Sequence, residues 1–127
     1  MGAIAGPNII ILMLTAMEHD LQARINTKQD TITLMSMQSI FFGNKKAALY
    51  QQLSQVDYEK QRAQYERITA LIAQQEQKER MIQQLEKTIE MEMQNLQNQL
   101  KMVQQRKEAQ QKILDQNMKG AFSYGHG

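Results

Sequence analysis

The stretch that decides the fold is Lys45–Met118, KKAALYQQLSQVDYEKQRAQYERITALIAQQEQKERMIQQLEKTIEMEMQNLQNQLKMVQQRKEAQQKILDQNM, which contains neither Pro nor Gly. It is dense in Gln, Glu, Lys and Leu, which lose little side-chain freedom in a helix. At 1.5 Å per residue it predicts one helix of about 110 Å. A globule of 127 residues would have a radius of gyration of only about 14 Å. The stretch therefore predicts an elongated all-α protein.

An apolar seam runs along this predicted helix at steps of three and four residues, which indicates a coiled coil. Gln75 and Glu79 place polar groups in the seam, where they cost stability but can fix register and partner number. The four-four step from Leu85 through Ile89 to Met93 predicts local unwinding of the supercoil. The seam comprises Tyr65, Ile68, Ile72, Gln75, Glu79, Ile82, Leu85, Ile89, Met93, Leu96, Leu100 and Val103, and continues more weakly at Lys107, Gln110, Leu114 and Met118.

The pair Gly43-Asn44 directly precedes this stretch. Gly is favoured at the left-handed position that follows a helix, and Asn tolerates the same backbone region. We therefore predict a tight turn at residues 43–44, with Phe41 and Phe42 packed beside it. A β-branched residue tolerates that conformation poorly, so Gly43→Val should disturb the turn.

Residues 8–42 predict a first helix with Asn8 as its N-cap. Residues 9–17 are apolar on every face, which favours burial by partner helices. A membrane span needs about twenty apolar residues, so membrane contact by residues 9–17 is the weaker alternative. Cap-type residues at 26–31 leave a break there open, although continuity is favoured. The first seam comprises Ile10, Leu14, Met17, Leu21, Ile25, Lys28, Ile32, Met35 and Ser39.

The predicted organisation is a single domain that folds as an elongated antiparallel helical hairpin with a long coiled-coil second helix. Its segments are a flexible N-terminus (1–7), the apolar first helix (8–42), the turn (43–44), the coiled-coil helix (45–118) and a Gly- and aromatic-containing tail (119–127). Gly120 is expected to end the second helix, and the tail is expected to fray.

The unequal helix lengths predict assembly with another chain. A first helix folded back at residues 43–44 would cover the second only to about residue 80. Exposing Leu and Ile side chains costs about 1.5–3 kcal/mol each, so residues 82–103 need a partner. The predicted assembly interface comprises Ile9, Ile10, Leu12, Met13, Leu14, Met17, Leu21, Ile82, Leu85, Ile89, Met93, Leu96, Leu100 and Val103.

The composition and the polar residues argue against several classes of function. The balance of 15 Lys and Arg against 13 Asp and Glu gives a formal charge of only +2, which does not favour nucleic-acid binding. The chain has no Cys, which excludes disulfides and thiolate metal sites. Consecutive helical residues point about 100° apart, so Glu18, His19 and Asp20 cannot chelate together. We predict no catalytic, metal-binding or cofactor-binding residues, and therefore no enzyme.

The segment Ile9–Gln22, IIILMLTAMEHDLQ, resembles the first helix of bacterial type III secretion translocator-filament subunits. In that family an Ile/Leu/Met-rich run gives way to a polar turn of helix. The chain lacks the family's long polar N-terminal leader and the insert between the helices. The resemblance implies polymerisation into a hollow extracellular tube, secretion from bacteria or display on their surface, and an assembly segment at Ile9–Leu21.

Two functions follow from these patterns. The first is a structural helical subunit that assembles with itself, as in a secreted filament or a secretion-system assembly. The alternative is a coiled-coil adaptor or chaperone-like protein that binds another helical protein through residues 82–103. The first predicts large homopolymers from pure protein, whereas the second predicts small oligomers that grow only when the partner is added.

Overall fold

The computed structural model describes the backbone of residues 6–126 and the side chains of residues 6–120. The predicted flexible N-terminus lies outside this range for residues 1–5. The described chain forms two helices, α1 at Pro7–Ser54 (48 residues) and α2 at Arg62–His126 (65 residues). The helices pack against each other as a hairpin, which confirms the predicted all-α fold class.

The chain bends at residues 55–61, and the predicted turn at Gly43-Asn44 is wrong. Gly43 lies inside α1, in a backbone conformation that is open to any residue. The positions of each helix that face the other helix are called inward-facing. On α1 they continue past Gly43 at three- and four-residue steps through Phe42, Lys46 and Leu49. A glycine inside a helix costs only about 1 kcal/mol, and continued packing against α2 exceeds that cost.

Side-chain and backbone hydrogen bonds shape the bend, which contains no Gly or Pro. The Asp57 carboxylate accepts a hydrogen bond from the Glu59 N–H at 3.1 Å. The Asp57 carbonyl accepts one from the Gln61 N–H at 2.8 Å. Such a local Asp bond mimics a backbone turn, so Asp57 supplies the reversal that the sequence assigned to Gly43.

Aromatic contacts close the bend on the side of α2. The rings of Tyr58 and Tyr65 meet edge to face with centroids 5.0 Å apart. The Arg62 guanidinium lies 5.6 Å from the centre of the Tyr58 ring. These contacts join the loop to the first turns of α2 and limit the bend to seven residues.

The helix ends also differ from the sequence prediction. Asn8 is not the N-cap, because Pro7 is the first helical residue and the Gly6 carbonyl accepts the N–H groups of Ile9 and Ile10, each at 3.1 Å. Pro is favoured at this position because its φ suits a helix and its missing N–H leaves no donor unpaired. Gly120 does not end α2, which continues to His126, so the predicted bounds 45–118 and the separate tail are wrong. The favoured continuity of the first helix across residues 26–31 is confirmed.

The hairpin divides into two compact units. In the bend unit, residues 28–91, α1 and α2 enclose a core of Leu49, Ile68 and Ile72. In the terminal unit, described for residues 6–27 and 92–126, the core comprises Leu14, Leu21 and Val103. Each unit thus has its own apolar core between one segment of α1 and one of α2.

The inward-facing positions follow the predicted seams with three exceptions. Glu18 takes the place predicted for Met17, Glu86 takes the place predicted for Leu85, and Met118 is 63% exposed. With Glu86 the steps alternate strictly between three and four residues, so the predicted unwinding near Leu85 is wrong. A helix that keeps a heptad repeat toward its partner must present whichever side chain falls at each position, including a carboxylate.

Candidate interaction surface

Nine of the fourteen residues of the predicted assembly interface are buried or half-buried inside the chain. The buried core of the terminal unit and the partly buried side chains around it include Ile10, Leu14, Leu21, Leu96, Leu100 and Val103. Ile82 is buried, and Ile89 and Met93 are half-buried. The premise that residues 82–103 have no partner in the chain is therefore wrong. With the bend at residues 55–61, α1 is long enough to pack along this part of α2.

The other predicted interface residues are exposed. Leu12 is 70% exposed, and Ile9, Met13, Met17 and Leu85 are at least 47% exposed. Their role in assembly stays a prediction.

These exposed residues belong partly to a second row of heptad positions on α1, which we call the outer seam. Its members recur at steps of three and four residues, as on any single helix face, and every one of them is exposed. In the terminal unit the outer seam comprises Ile9, Met13, Ala16, Asp20, Ala23 and Thr27; in the bend unit it comprises Asp30, Leu34, Met37, Phe41, Asn44 and Ala48.

The corresponding outward positions of α2 are mainly amides. Gln74, Gln77, Gln84, Asn95, Asn98 and Gln105 occupy this row, which Met81, Met91 and Met102 interrupt. Helix α1 therefore carries apolar side chains on two faces, whereas α2 carries one apolar seam and an outward face that is mainly polar. Sequence reasoning detected the apolar character of residues 9–17 but missed the outer seam at Leu34, Met37 and Phe41, although the three-four spacing marks it.

An interhelical ion pair fixes the register in the terminal unit. The Lys107 ammonium nitrogen lies 3.5 Å from a carboxylate oxygen of Glu18, and both side chains are about one-third exposed. Sliding α2 by one heptad in either direction would replace Lys107 with Leu100 or Leu114 and leave the half-buried carboxylate unpaired. Breaking a pair in this way costs more than the pair itself contributes.

The bend unit has a second interhelical polar group. The Lys46 ammonium donates to the Glu79 carboxylate at 3.0 Å, and the Tyr50 hydroxyl donates to the Glu76 carboxylate at 3.1 Å. The hydrogen bond to Glu79 raises the pKa of Lys46, and the hydrogen bond to Glu76 raises the pKa of Tyr50. Each bond stabilises the protonated form of its donor.

Gln75 is the most buried polar side chain among the described residues, with 2% of its surface exposed. Its Oε1 atom has no hydrogen-bond partner in the described part of the chain. A buried acceptor without a partner costs about 1–3 kcal/mol. Gln75 therefore reduces stability, in agreement with its predicted place in the seam.

The described residues contain no group of three or more His, Cys, Asp or Glu side chains that could hold a metal ion. Two open grooves in the terminal unit have volumes of about 370 and 150 Å³, and Glu18 and Lys107 line the larger while Met17 and Met102 line the smaller. Neither helix, where it is described, contains a segment long and apolar enough to span a membrane.

Comparison with protein-family models, with curated protein sequences and with solved structures gives no match to this chain. The resemblance to type III secretion translocator-filament subunits therefore stays a prediction.

Proposed function

We propose that the protein is a structural helical subunit that assembles with further copies of itself. The observation that carries the proposal is the outer seam of α1. Apolar side chains on this seam are exposed in both units, among them Met13 in the terminal unit and Leu34 and Phe41 in the bend unit. Exposed apolar groups arranged along one helix face are typical of a surface that another helix covers.

The contrast between the two helices supports self-assembly through α1. Strong apolar character on two faces is typical of a helix that packs between partners. The outward face of α2 is rich in Gln and Asn, so it is suited to solvent. The hairpin thus has an apolar side, on which further subunits would pack, and a polar side.

The test is the mass of the purified protein, measured by light scattering after size-exclusion chromatography, with negative-stain microscopy of the same fractions. We expect masses well above the 14.7 kDa of one chain, as filaments or closed rings. The double variant Ile9→Gln with Met13→Gln should reduce the assembled fraction. Met91→Gln removes an exposed methionine from α2 and should leave assembly unchanged.

A single 14.7 kDa species across the accessible concentration range would contradict self-assembly. Equal assembly of wild type and the Ile9/Met13 variant would contradict assembly through the outer seam of the terminal unit. A monomer that forms complexes only with another helical protein would favour the adaptor function. Within residues 82–103 that partner would meet Leu85, Met91 and Met102, the large apolar side chains left most exposed there.

A further inference from the structure

The outer seam of α1 in the bend unit has a central cluster of three large apolar side chains. Leu34, Met37 and Phe41 are 62%, 62% and 61% exposed. They follow one another at steps of three and four residues, so they line one face of the helix. The Phe41 ring meets the neighbouring Phe42 ring edge to face, with centroids 5.7 Å apart, and this contact supports the Phe41 side chain from within its own helix.

Opposite charges lie on either side of this cluster. Asp30 precedes it and Lys45 follows it, and both side chains are exposed. Asp30 and Lys45 are equidistant from the midpoint between Met37 and Gln38, and Leu34 and Phe41 are equidistant from the same point. The face is therefore self-complementary under a two-fold rotation about that midpoint, with apolar side chains meeting apolar ones and acid meeting base.

We propose that residues 30–45 of α1 pack antiparallel against the same residues of a second copy, across a two-fold axis between Met37 and Gln38. In this arrangement Leu34 of each copy lies beside Phe41 of the other, and the two Met37 side chains meet at the axis. Asp30 of each copy lies beside Lys45 of the other. The inference rests on the proposed self-assembly and specifies its partner, register and polarity.

Charge and symmetry identify the second copy as the occupant. An isologous contact uses one patch on both partners and requires that patch to be self-complementary, which the order Asp30, Leu34, Phe41, Lys45 satisfies. Parallel packing of two α1 helices would place Asp30 beside Asp30 and Lys45 beside Lys45. Like charges in contact oppose binding, so the same four residues select the antiparallel arrangement.

Disulfide trapping tests the register directly, because the chain contains no Cys. Chains carrying Leu34→Cys and tagged chains carrying Phe41→Cys are oxidised separately and as a mixture. A disulfide requires Cα atoms within about 7 Å. Antiparallel packing separates position 34 from position 34 of the second copy by seven residues, about 10 Å along the axis. We expect the mixed 34–41 dimer to form at least tenfold faster than either homodimer, and a Gln84→Cys control on α2 to stay uncrosslinked.

The possible outcomes separate this inference from the proposed function. Faster homodimers at positions 34 and 41 would indicate parallel packing and overturn the inference. Large assemblies without a 34–41 disulfide would also overturn it, and would leave self-assembly intact. A chain that stays monomeric and uncrosslinked would overturn both.

A charge-reversal pair tests the same contact without cysteines. Asp30→Lys and Lys45→Asp should each raise the dissociation constant of the dimer about tenfold, because each places like charges in contact. The double variant restores opposite charges and should return the constant to within about threefold of wild type. Double and single variants that are equally weak, with unchanged far-ultraviolet circular dichroism, would contradict the proposed pairing.

Discussion

Two segments of this chain, Gly43-Asn44 and residues 55–61, reverse the usual association between glycine and turns. The first contains the residue pair most favourable to a turn and is helical throughout. The second contains neither Gly nor Pro and reverses the chain. Local propensity is a weak prior that tertiary packing overrides. In this hairpin the packing of α1 against α2 decides where α1 ends.

The positions that each segment presents to α2 explain the difference. Around Gly43, the inward residues Ser39, Phe42 and Lys46 keep the heptad spacing, and Lys46 makes a hydrogen bond to Glu79. At the bend, Leu53 in the last turn of α1 and Val56 just after its end pack against the core of the bend unit. Asp57 comes next, and its side chain competes with the helix for backbone hydrogen bonds.

Proline substitutions should give the largest contrast between the two segments. Gly43→Pro removes a helical hydrogen bond and forces a clash with the preceding turn, at a cost of about 3 kcal/mol or more. Arg62→Pro lies at the first position of α2, where Pro is favoured. It loses only the exposed contacts of Arg62 with Tyr58 and Glu66, so its cost should be about 1 kcal/mol. Urea unfolding followed by circular dichroism measures both. Equal losses in the two variants would contradict the assigned bend.

Gln75→Leu should stabilise the part of the hairpin that the bend closes. The change removes a buried acceptor that has no partner and should raise the free energy of unfolding by about 1–3 kcal/mol. Gln77→Leu on the outward face serves as the control, because an exposed substitution should change stability by less than about 0.5 kcal/mol. Destabilisation by Gln75→Leu would show that the amide is satisfied, for example by a buried water.

Asp57→Ala should weaken the bend. The loss of the hydrogen bond from the Glu59 N–H should cost about 1 kcal/mol, as for other side-chain caps. Asp57→Asn keeps an acceptor oxygen and should retain most of that stability. Thermal unfolding of the three proteins at one concentration checks the order wild type, Asn variant, Ala variant. An Ala variant as stable as wild type would show that the cap is dispensable.

Gly43→Ala should increase the free energy of unfolding, whereas Asp57→Ala should decrease it. A Cβ at Gly43 would lie 3.6 Å from the Glu79 carboxylate, an ordinary contact distance. Replacing a helix-interior Gly with Ala should then stabilise the protein by about 0.5–1 kcal/mol. In a left-handed turn the same change would destabilise the protein. The sign measured by urea unfolding therefore discriminates between helix and turn at this position.

Alkaline pH should produce the smallest effect. Lys46 and Tyr50 both have a raised pKa, chiefly because each donates a hydrogen bond to a carboxylate of α2. Their contribution to stability is fully present below their unfolded pKa values of about 10 to 10.5. It is lost as pH rises through the higher folded values. We expect the melting temperature to fall above that range, and to fall less in the variant Lys46→Met with Tyr50→Phe. Identical slopes would contradict the linkage.

The sequence was sufficient for those features that depend on periodicity. The absence of Pro and Gly from a long apolar seam predicted the all-α fold class, and the three-four spacing predicted nearly every inward residue of both helices. It failed at the bend because Asp57 acts through a side-chain hydrogen bond, which composition does not reveal. It failed at Glu86 because hydrophobicity favoured the neighbouring Leu85, whereas the heptad phase selects Glu86.

The candidate interface was predictable only in part. The prediction of an interface at residues 82–103 followed from the predicted turn at residues 43–44, which left those residues without a partner in the chain. The bend lies at residues 55–61 instead, so α1 is long enough to pack along them. The apolar run at residues 9–17 was recognised, but Leu34 and Met37 lie outside both predicted seams, and Phe41 was predicted to pack beside a turn at residues 43–44. The role of an apolar residue outside the seam can be assigned only after the direction of the partner helix is known.

The short bend also sets the order in which the hairpin can form. Leu49 and Ile68 are 19 positions apart along the chain, whereas Leu21 and Val103 are 82 positions apart. Loop-closure entropy and contact order both favour early formation of the nearer contacts. Folding should therefore begin beside the bend and proceed toward the termini. The terminal unit would close last, so during synthesis Ile10 and Leu14 must wait for Leu96, Leu100 and Val103 to be made.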